Sequence, residues 1–268
     1  MAPKSMVLTS LLTLTALLLF CGCNVEPGNN TPNDSMGTRE QEEESSSLAL
    51  TYYGQATFLI EAGNKILIDP YSPELGYGTI DLPADLVTVS HHHFDHNYVE
   101  GSQKAKALFG LTPDGEWQQV QKDLGDDRVY TVNSYHDDQN GSRLGKNSIF
   151  VFEIAGLRLI HLGDLGHSLE ENEIRQIGKA DLLLVPVGGY YTLSYDEVLE
   201  VIAELSPAIV IPMHYRTEYY SDRNLKTLED FLDQKPPYPI YAKESCITIS
   251  REELPAATEI WTMEFTLP

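Results

Sequence analysis

The residues with the most chemistry to offer in this 268-residue chain are His91-His92-His93-Phe94-Asp95-His96, four imidazoles and one carboxylate in six positions. Imidazole nitrogen and carboxylate oxygen are donors for Zn²⁺, Mn²⁺ or Fe²⁺, and no thiolate stands among them to settle which ion is preferred. Just upstream, Asp85-Leu86-Val87-Thr88-Val89-Ser90 is β-branched and apolar, as a buried strand would be. A strand ending in such a cluster delivers its donors to a sheet edge, where α/β folds bind ligands. His91 and His93, two apart, share one side of an extended tip, while Asp95 and His96 turn toward a neighbouring point. Two metal ions fit that spacing better than one. Taken alone, a His-rich hexamer is equally consistent with a polar surface patch.

The elements needed to position these groups repeat one pattern. Ala56–Glu61 and Lys65–Ile68 read as a hairpin turning at Gly63-Asn64, and its second strand runs into Asp69-Pro70. Residues 71–84, rich in Pro and Gly, read as a surface loop overhanging the site. Tyr98–Ala107 reads as a short helix. Arg128–Val132 reads as a strand leading to His136 and Asp137. Ser148–Ile154 and Leu157–His161 read as a second hairpin, which reaches Asp164 and His167. Asp181–Val187 is a buried strand stopping at Gly188-Gly189, and Ala208–Met213 is another ending at His214. Amphipathic spacing predicts helices over 170–178, 195–205 and 225–233, and a closing strand pair is expected near 239–250 and 258–265. Strand after strand thus finishes on His or Asp: Asp69, His91 with His93, His136, Asp164 and His214.

Composition bounds the rest. A formal net charge of −22 and 42% hydrophobic content suit one sizeable globular domain. About −18 of the charge remains in residues 48–268 once +1 in 1–23 and −5 in 24–47 are set aside. Such a body repels a nucleic-acid backbone, so nucleic acid is excluded as a partner. Lys4 followed by the apolar run Met6–Phe20 is too short to span a bilayer and reads as a signal-peptide core. The run ends in Cys21-Gly22-Cys23, which resembles a bacterial lipoprotein signal, with Cys23 after small Gly22 as the lipidated residue and Cys21 the poorer fit. Residues 24–47, polar and acidic, are expected to be a disordered tether. Residues 48–268 would then form the catalytic domain, lipid-anchored in the cell envelope and facing the periplasm or exterior. Cys246 is expected to be a small buried residue on a strand.

In the order of their motifs, these residues resemble the metallo-β-lactamase superfamily, in its stand-alone metal-dependent hydrolase branch. That branch includes an ascorbate-phosphate lactonase and relatives of the phospholipase D that cleaves N-acyl-phosphatidylethanolamine. Gly54 with Ala56-Thr57, Leu67-Ile68-Asp69-Pro70, the His-x-His-x-Asp-His run and His136-Asp137 carry the resemblance. So do Gly145-Lys146-Asn147, His161–His167, Val185–Gly189 and Ile211–Tyr215. It implies an α/β fold, a four-layer αβ/βα sandwich. It also implies one metal on His91, His93 and His136, a second on Asp95, His96 and His214, and Asp164 bridging both, with Zn²⁺ foremost and Mn²⁺ or Fe²⁺ also suited. Asp69 would orient a ligand histidine through its free N–H. Gln55 departs from the pattern at a place where relatives often have His.

The implied reaction is hydrolysis of an ester, lactone, amide or phosphodiester of a small or lipid-derived substrate by a metal-bound hydroxide. Asp95 and Asp164 are the catalytic candidates, with Asp95 passing a proton to the leaving group. Tyr190, Tyr191, Tyr215 and Arg216 follow strand ends and are candidates for substrate contact. His92, His161 and His167 are read as packing or hydrogen-bonding residues. A phospholipase-D-like phosphodiesterase and a non-catalytic metal-binding lipoprotein are the competing readings.

Overall fold

In the computed structural model, residues 46–102 and 104–268 are described. The signal run, Cys23 and nearly all of the 24–47 tether lie outside them, and the first strand already begins at Ser47. One sheet contains β1 (Ser47–Tyr52), β2 (Phe58–Ala62), β3 (Asn64–Ile68), β4 (Leu86–Val89), β5 (Lys106–Phe109) and β13 (Cys246–Ser250). The other contains β6 (Gln121–Leu124), β7 (Asp127–Tyr135), β8 (Lys146–Ile154), β9 (Leu157–His161), β10 (Leu182–Pro186), β11 (Ile209–Met213), β12 (Ile240–Lys243) and β14 (Glu259–Met263). The strand orders are 13-1-2-3-4-5 and 12-14-11-10-9-8-7-6, each mixing parallel and antiparallel pairs.

Period-two side-chain alternation builds both layers of core around the first sheet. Phe58, Ile60, Ile66 and Ile68 join the large core shared with Phe150, Phe152, Leu159 and Leu183 of the second sheet. Leu59, Leu67, Val87 and Val89 point the other way, into a smaller core closed by Tyr71, Leu75 and Tyr77. The second sheet carries α1 (Glu171–Ile177) and α2 (Tyr195–Leu205), which connect its parallel strands β9, β10 and β11. α2 starts at Ser194, whose hydroxyl accepts from the Glu197 N–H while the Glu197 carboxylate accepts from the Ser194 N–H, a reciprocal cap. Val198, Val201, Ile202 and Leu205 make up its buried face.

Several expectations change here. Tyr98–Ala107 is not a helix: a single 3-10 turn at Val99–Ser102 gives way to β5. Gly101 explains part of this, because a Cβ there would lie 1.6 Å from the Ile80 carbonyl oxygen. The third helix is shorter than its spacing suggests, α3 (Leu228–Leu232). The closing pair is in fact three strands split between sheets, with β12 parallel to β14 and β13 antiparallel to β1. Cys246 is exposed rather than buried, since β13 is an edge strand. The 71–84 loop packs against the outer face of the first sheet, where the Tyr77 hydroxyl lies 2.6 Å from that of Thr217.

Candidate metal centre

Parallel pairing of β3 with β4 and of β9, β10 and β11 with one another points their C-terminal ends to common edges. From those ends come Asp69, His91, Asp164 and His214, and β7 adds His136. Donor atoms of His91, His93, His136 and Asp164 lie within 4.8 Å of one another, as do those of Asp95, His96, Asp164 and His214. Asp164 is common to both groups: its Oδ2 is 3.1 Å from Nε2 of His136 and of His214, and its Oδ1 is 3.2 Å from Nε2 of His96. Asp95 Oδ2 is 3.5 Å from Nε2 of both His96 and His214. His91 Nε2 faces His93 Nδ1 at 3.1 Å.

Hydrogen bonds behind the imidazoles decide which nitrogen faces inward. Buried Asp69 accepts from the Ser90 N–H at 2.8 Å, from the Ser90 hydroxyl at 2.5 Å and from His96 Nδ1–H at 2.9 Å. With its only proton given to Asp69, the Ser90 hydroxyl must accept from His91 Nδ1–H, 2.9 Å away. His136 Nδ1–H donates to the Tyr191 carbonyl at 3.1 Å. In all three rings Nδ1 keeps its proton, so Nε2 is the nitrogen available to a cation. Asp69 belongs also to a third grouping of close donors with His91 and His96, but both its oxygens are already taken from behind.

Among the described residues, buried side-chain atoms without a hydrogen-bond partner include Gln55 Oε1, Thr88 Oγ1 and Thr192 Oγ1, but the ones that gather at the cluster are His96 Nε2, Asp164 Oδ1 and His214, on neither of whose nitrogens a partner is found. Polar atoms are rarely buried unpaired, so this set of imidazole and carboxylate donors fits divalent cations. Burial pushes the Asp95 and Asp164 carboxyls up, but the surrounding imidazoles outweigh it and hold both well below the usual carboxylate range. Burial lowers His214, yet Asp164 and Asp95 overcome it and lift the imidazole to about 9. Burial and the charge of His96 press His91 well below its ordinary value.

Backbone geometry at the site is tight. Asp69, His214 and Gln55 have φ of 43°, 52° and 52°, a left-handed conformation that costs energy and that surrounding contacts must maintain. Gln55, only 1% exposed, ties three elements together. Its Nε2 donates to Asp95 Oδ2 at 2.9 Å, and its carbonyl accepts from the Tyr52 hydroxyl and the His214 N–H. Gly166 allows the chain to pass the His136 backbone, where a Cβ would meet the carbonyl carbon and oxygen at 2.5 Å.

The other histidines are occupied. His161 donates from Nε2 to the Ala56 carbonyl and accepts the Gly163 N–H at Nδ1. His167 accepts the Tyr135 N–H at Nε2 and donates from Nδ1 to the Ser168 carbonyl. His92 donates to the Thr112 carbonyl at the cleft rim.

A cavity of about 510 Å³ opens over the cluster. Of the four substrate-contact candidates only Tyr191 lines it. Tyr215 is 6% exposed and turns into the core, bordering a separate groove together with Arg216. The Arg216 N–H is fixed to the Lys226 carbonyl, and its guanidinium faces Asp230. Tyr190, 65% exposed, stands edge-on to the Tyr191 ring outside the cleft. The rim is completed instead by Phe94, Leu144, Tyr220 and Asp222. Spacing gave no sign of Tyr220 and Asp222, which reach the cleft on an irregular segment after β11.

Comparison with known proteins agrees with this arrangement. Residues 49–214 match the β-lactamase superfamily domain. A UPF0173 metal-dependent hydrolase of Carboxydothermus hydrogenoformans is 30% identical over 63% of this chain and 85% of its own length. A homologue in Thermoplasma acidophilum, also described as a UPF0173 metal-dependent hydrolase, is 26% identical over 64% of this chain and 84% of its own. Among solved structures, one from Thermotoga maritima, assigned as a Zn-dependent hydrolase of the metallo-β-lactamase superfamily, superposes with a TM-score of 0.61. It is 33% identical and covers 82% of this chain and all of its own. The sheets, the His/Asp cluster and these relatives together place the chain in the metallo-β-lactamase superfamily, as a stand-alone metal-dependent hydrolase.

Proposed function

We propose that the chain hydrolyses an ester, lactone, amide or phosphodiester of a small or amphiphilic substrate with two divalent cations, Zn²⁺ foremost, on the two donor groups. One observation carries this reading. Asp69, Ser90 and the Tyr191 carbonyl hold Nδ1 protons on three imidazoles, and their Nε2 atoms converge around the Asp164 carboxylate. When bound, the cations supply Lewis acidity and bring the pKa of water toward neutrality.

The chain's own residues do the remaining work. Asp164 lies between the two groups, and its charge balances both. Gln55 grips Asp95 through Oδ2, which aims this carboxylate as the carrier of a proton to the leaving group. Phe94, Leu144, Tyr191 and Tyr220 give the cleft apolar walls suited to the carbon skeleton of an amphiphilic substrate.

Elemental analysis of the purified chain beside His93→Ala tests the metal centre. About two equivalents in the wild type and about one in the variant are expected for sites built this way. A panel of aryl esters, lactones and phosphodiesters then reads the reaction. No bound metal after reconstitution, together with no turnover, would overturn the proposal.

The anchor is proposed on separate grounds, namely the run Met6–Phe20 followed by Cys21-Gly22-Cys23. Palmitate labelling of the full chain in a bacterial host is expected to be lost in Cys23→Ser. Label lost only in Cys21→Ser moves the anchor to that residue, and an unlabelled wild type ends the idea.

A further inference from the structure

Asp222 stands on the rim of the cavity that opens over the metal cluster. It lies on the irregular segment after β11, and its two oxygens are used unequally. Oδ1 accepts the Asn224 N–H at 2.9 Å, which fixes the turn, and Oδ2 accepts the Tyr191 hydroxyl at 2.9 Å. Asn224 Nδ2 donates to that hydroxyl from the other side at 3.0 Å. Tyr191 is thereby held at both ends, since its carbonyl already receives His136 Nδ1–H. The carboxylate is thus positioned rigidly relative to the metal-ligating floor.

Around Asp222 the wall of the cleft is aromatic. Tyr191, Tyr220 and Phe94 share the cavity with it, and Phe94 is 48% exposed. Among the described residues lining the cavity none is Lys or Arg. A carboxylate at the mouth of a cleft that also carries aromatic rings can receive an ammonium group, and it penalises a second anion.

The geometry points to a substrate whose non-reacting end is cationic or neutral and apolar, with Asp222 as the residue that selects it. This rests on the hydrolase reading above, in which the floor of the same cleft takes the reacting group. It narrows that reading: ester, lactone and amide substrates with amine-bearing or uncharged tails are favoured over those carrying a phosphate or carboxylate at the far end.

A matched set of hydroxamic acids tests this without need of turnover. Each member has the same metal-binding head and the same short phenylalkyl spacer, ending in trimethylammonium, methyl or sulfonate. Binding to the metal-loaded chain is measured by calorimetry, and metal content is measured on the same preparation. The trimethylammonium member is expected to bind about tenfold more tightly than the sulfonate in wild type, the scale of one partly exposed charge contact. Asp222→Asn, which can still cap the Asn224 N–H, is expected to bring the two within about twofold, and Asp222→Lys to invert the order. Melting temperatures of both variants check that the fold is kept. A flat or inverted ranking in loaded wild type overturns the tail preference while leaving the hydrolase reading intact. A preparation that takes up no metal overturns both, and the metal assay tells the two failures apart.

Discussion

Asp69→Asn is the substitution that most directly tests how the two donor groups are held open. The side chain keeps its size, and the backbone at φ 43° suits Asn at least as well as Asp. Only the charge and one acceptor are lost. The Ser90 backbone N–H cannot give up its proton, so the new amide must turn its oxygen toward that group and its NH₂ toward the Ser90 hydroxyl and His96 Nδ1. His96 must then accept at Nδ1 and carry its proton on Nε2, the nitrogen that faces Asp164. The Ser90 hydroxyl, now accepting from the amide, sends its own proton toward His91 Nδ1 and reverses that ring as well. One change therefore closes a donor in each group. Loss of such supporting partners weakens metal binding by about 10- to 100-fold, or ~1.4–2.7 kcal/mol. With three hydrogen bonds to a carboxylate at 0% exposure disturbed, the metal-free fold is expected to lose roughly 2–4 kcal/mol. Nitrogen-15 spectra of the metal-free protein report imidazole protonation directly, and chelator competition reports affinity. A His96 Nδ1 that stays protonated in the variant, with metal affinity within twofold of wild type, would refute the reasoning.

Four further outcomes are expected. Gly166→Ala forces a Cβ to within 2.5 Å of the His136 carbonyl, so metal uptake at the group containing His136 falls while the melting temperature drops by several degrees. Gln55→Leu removes the amide donor to Asp95 Oδ2, and chelator titration is expected to show one of two binding steps shifted and the other unchanged. In the metal-free protein the His214 imidazole, lifted to about 9, stabilises the fold fully below its unfolded value near 6.5, and this contribution is lost as pH rises through about 9. Denaturant midpoints between pH 6 and 10 are expected to fall accordingly. Metal uptake at neutral pH is expected to release protons, which a pH-stat or calorimetry in buffers of differing ionisation enthalpy detects. A flat midpoint across that range would show that the two carboxylates do not hold the proton.

The donors themselves were legible in the sequence, because strands that bury both faces read as unbroken apolar runs and a His or Asp just past such a run stands out. Asp69, His91, Asp164 and His214 stand past such runs, whereas His136 follows β7, whose residues alternate between buried and half-buried. The hairpins at Gly63 and at Ala155-Gly156 were equally local, fixed by residues that accept positive φ. Tertiary structure alone decided what depends on meetings between distant segments. The 98–107 stretch has helical spacing, but Gly101 pressed against Ile80 and the open edge of β4 make it a turn and a strand. Tyr215 follows a strand end as Tyr191 follows the close of another, yet packing rather than position sends one ring into the core and the other into the cleft. Gln55 stood out as a departure from the pattern, but neither its contact with Asp95 nor that of Asp222 with Tyr191 has a sequence signature, since the partners lie 40 and 31 residues apart. The chain's local chemistry determined which atoms could bind a cation; long-range hydrogen bonds determined which nitrogen of each ring faces it and what surrounds the substrate.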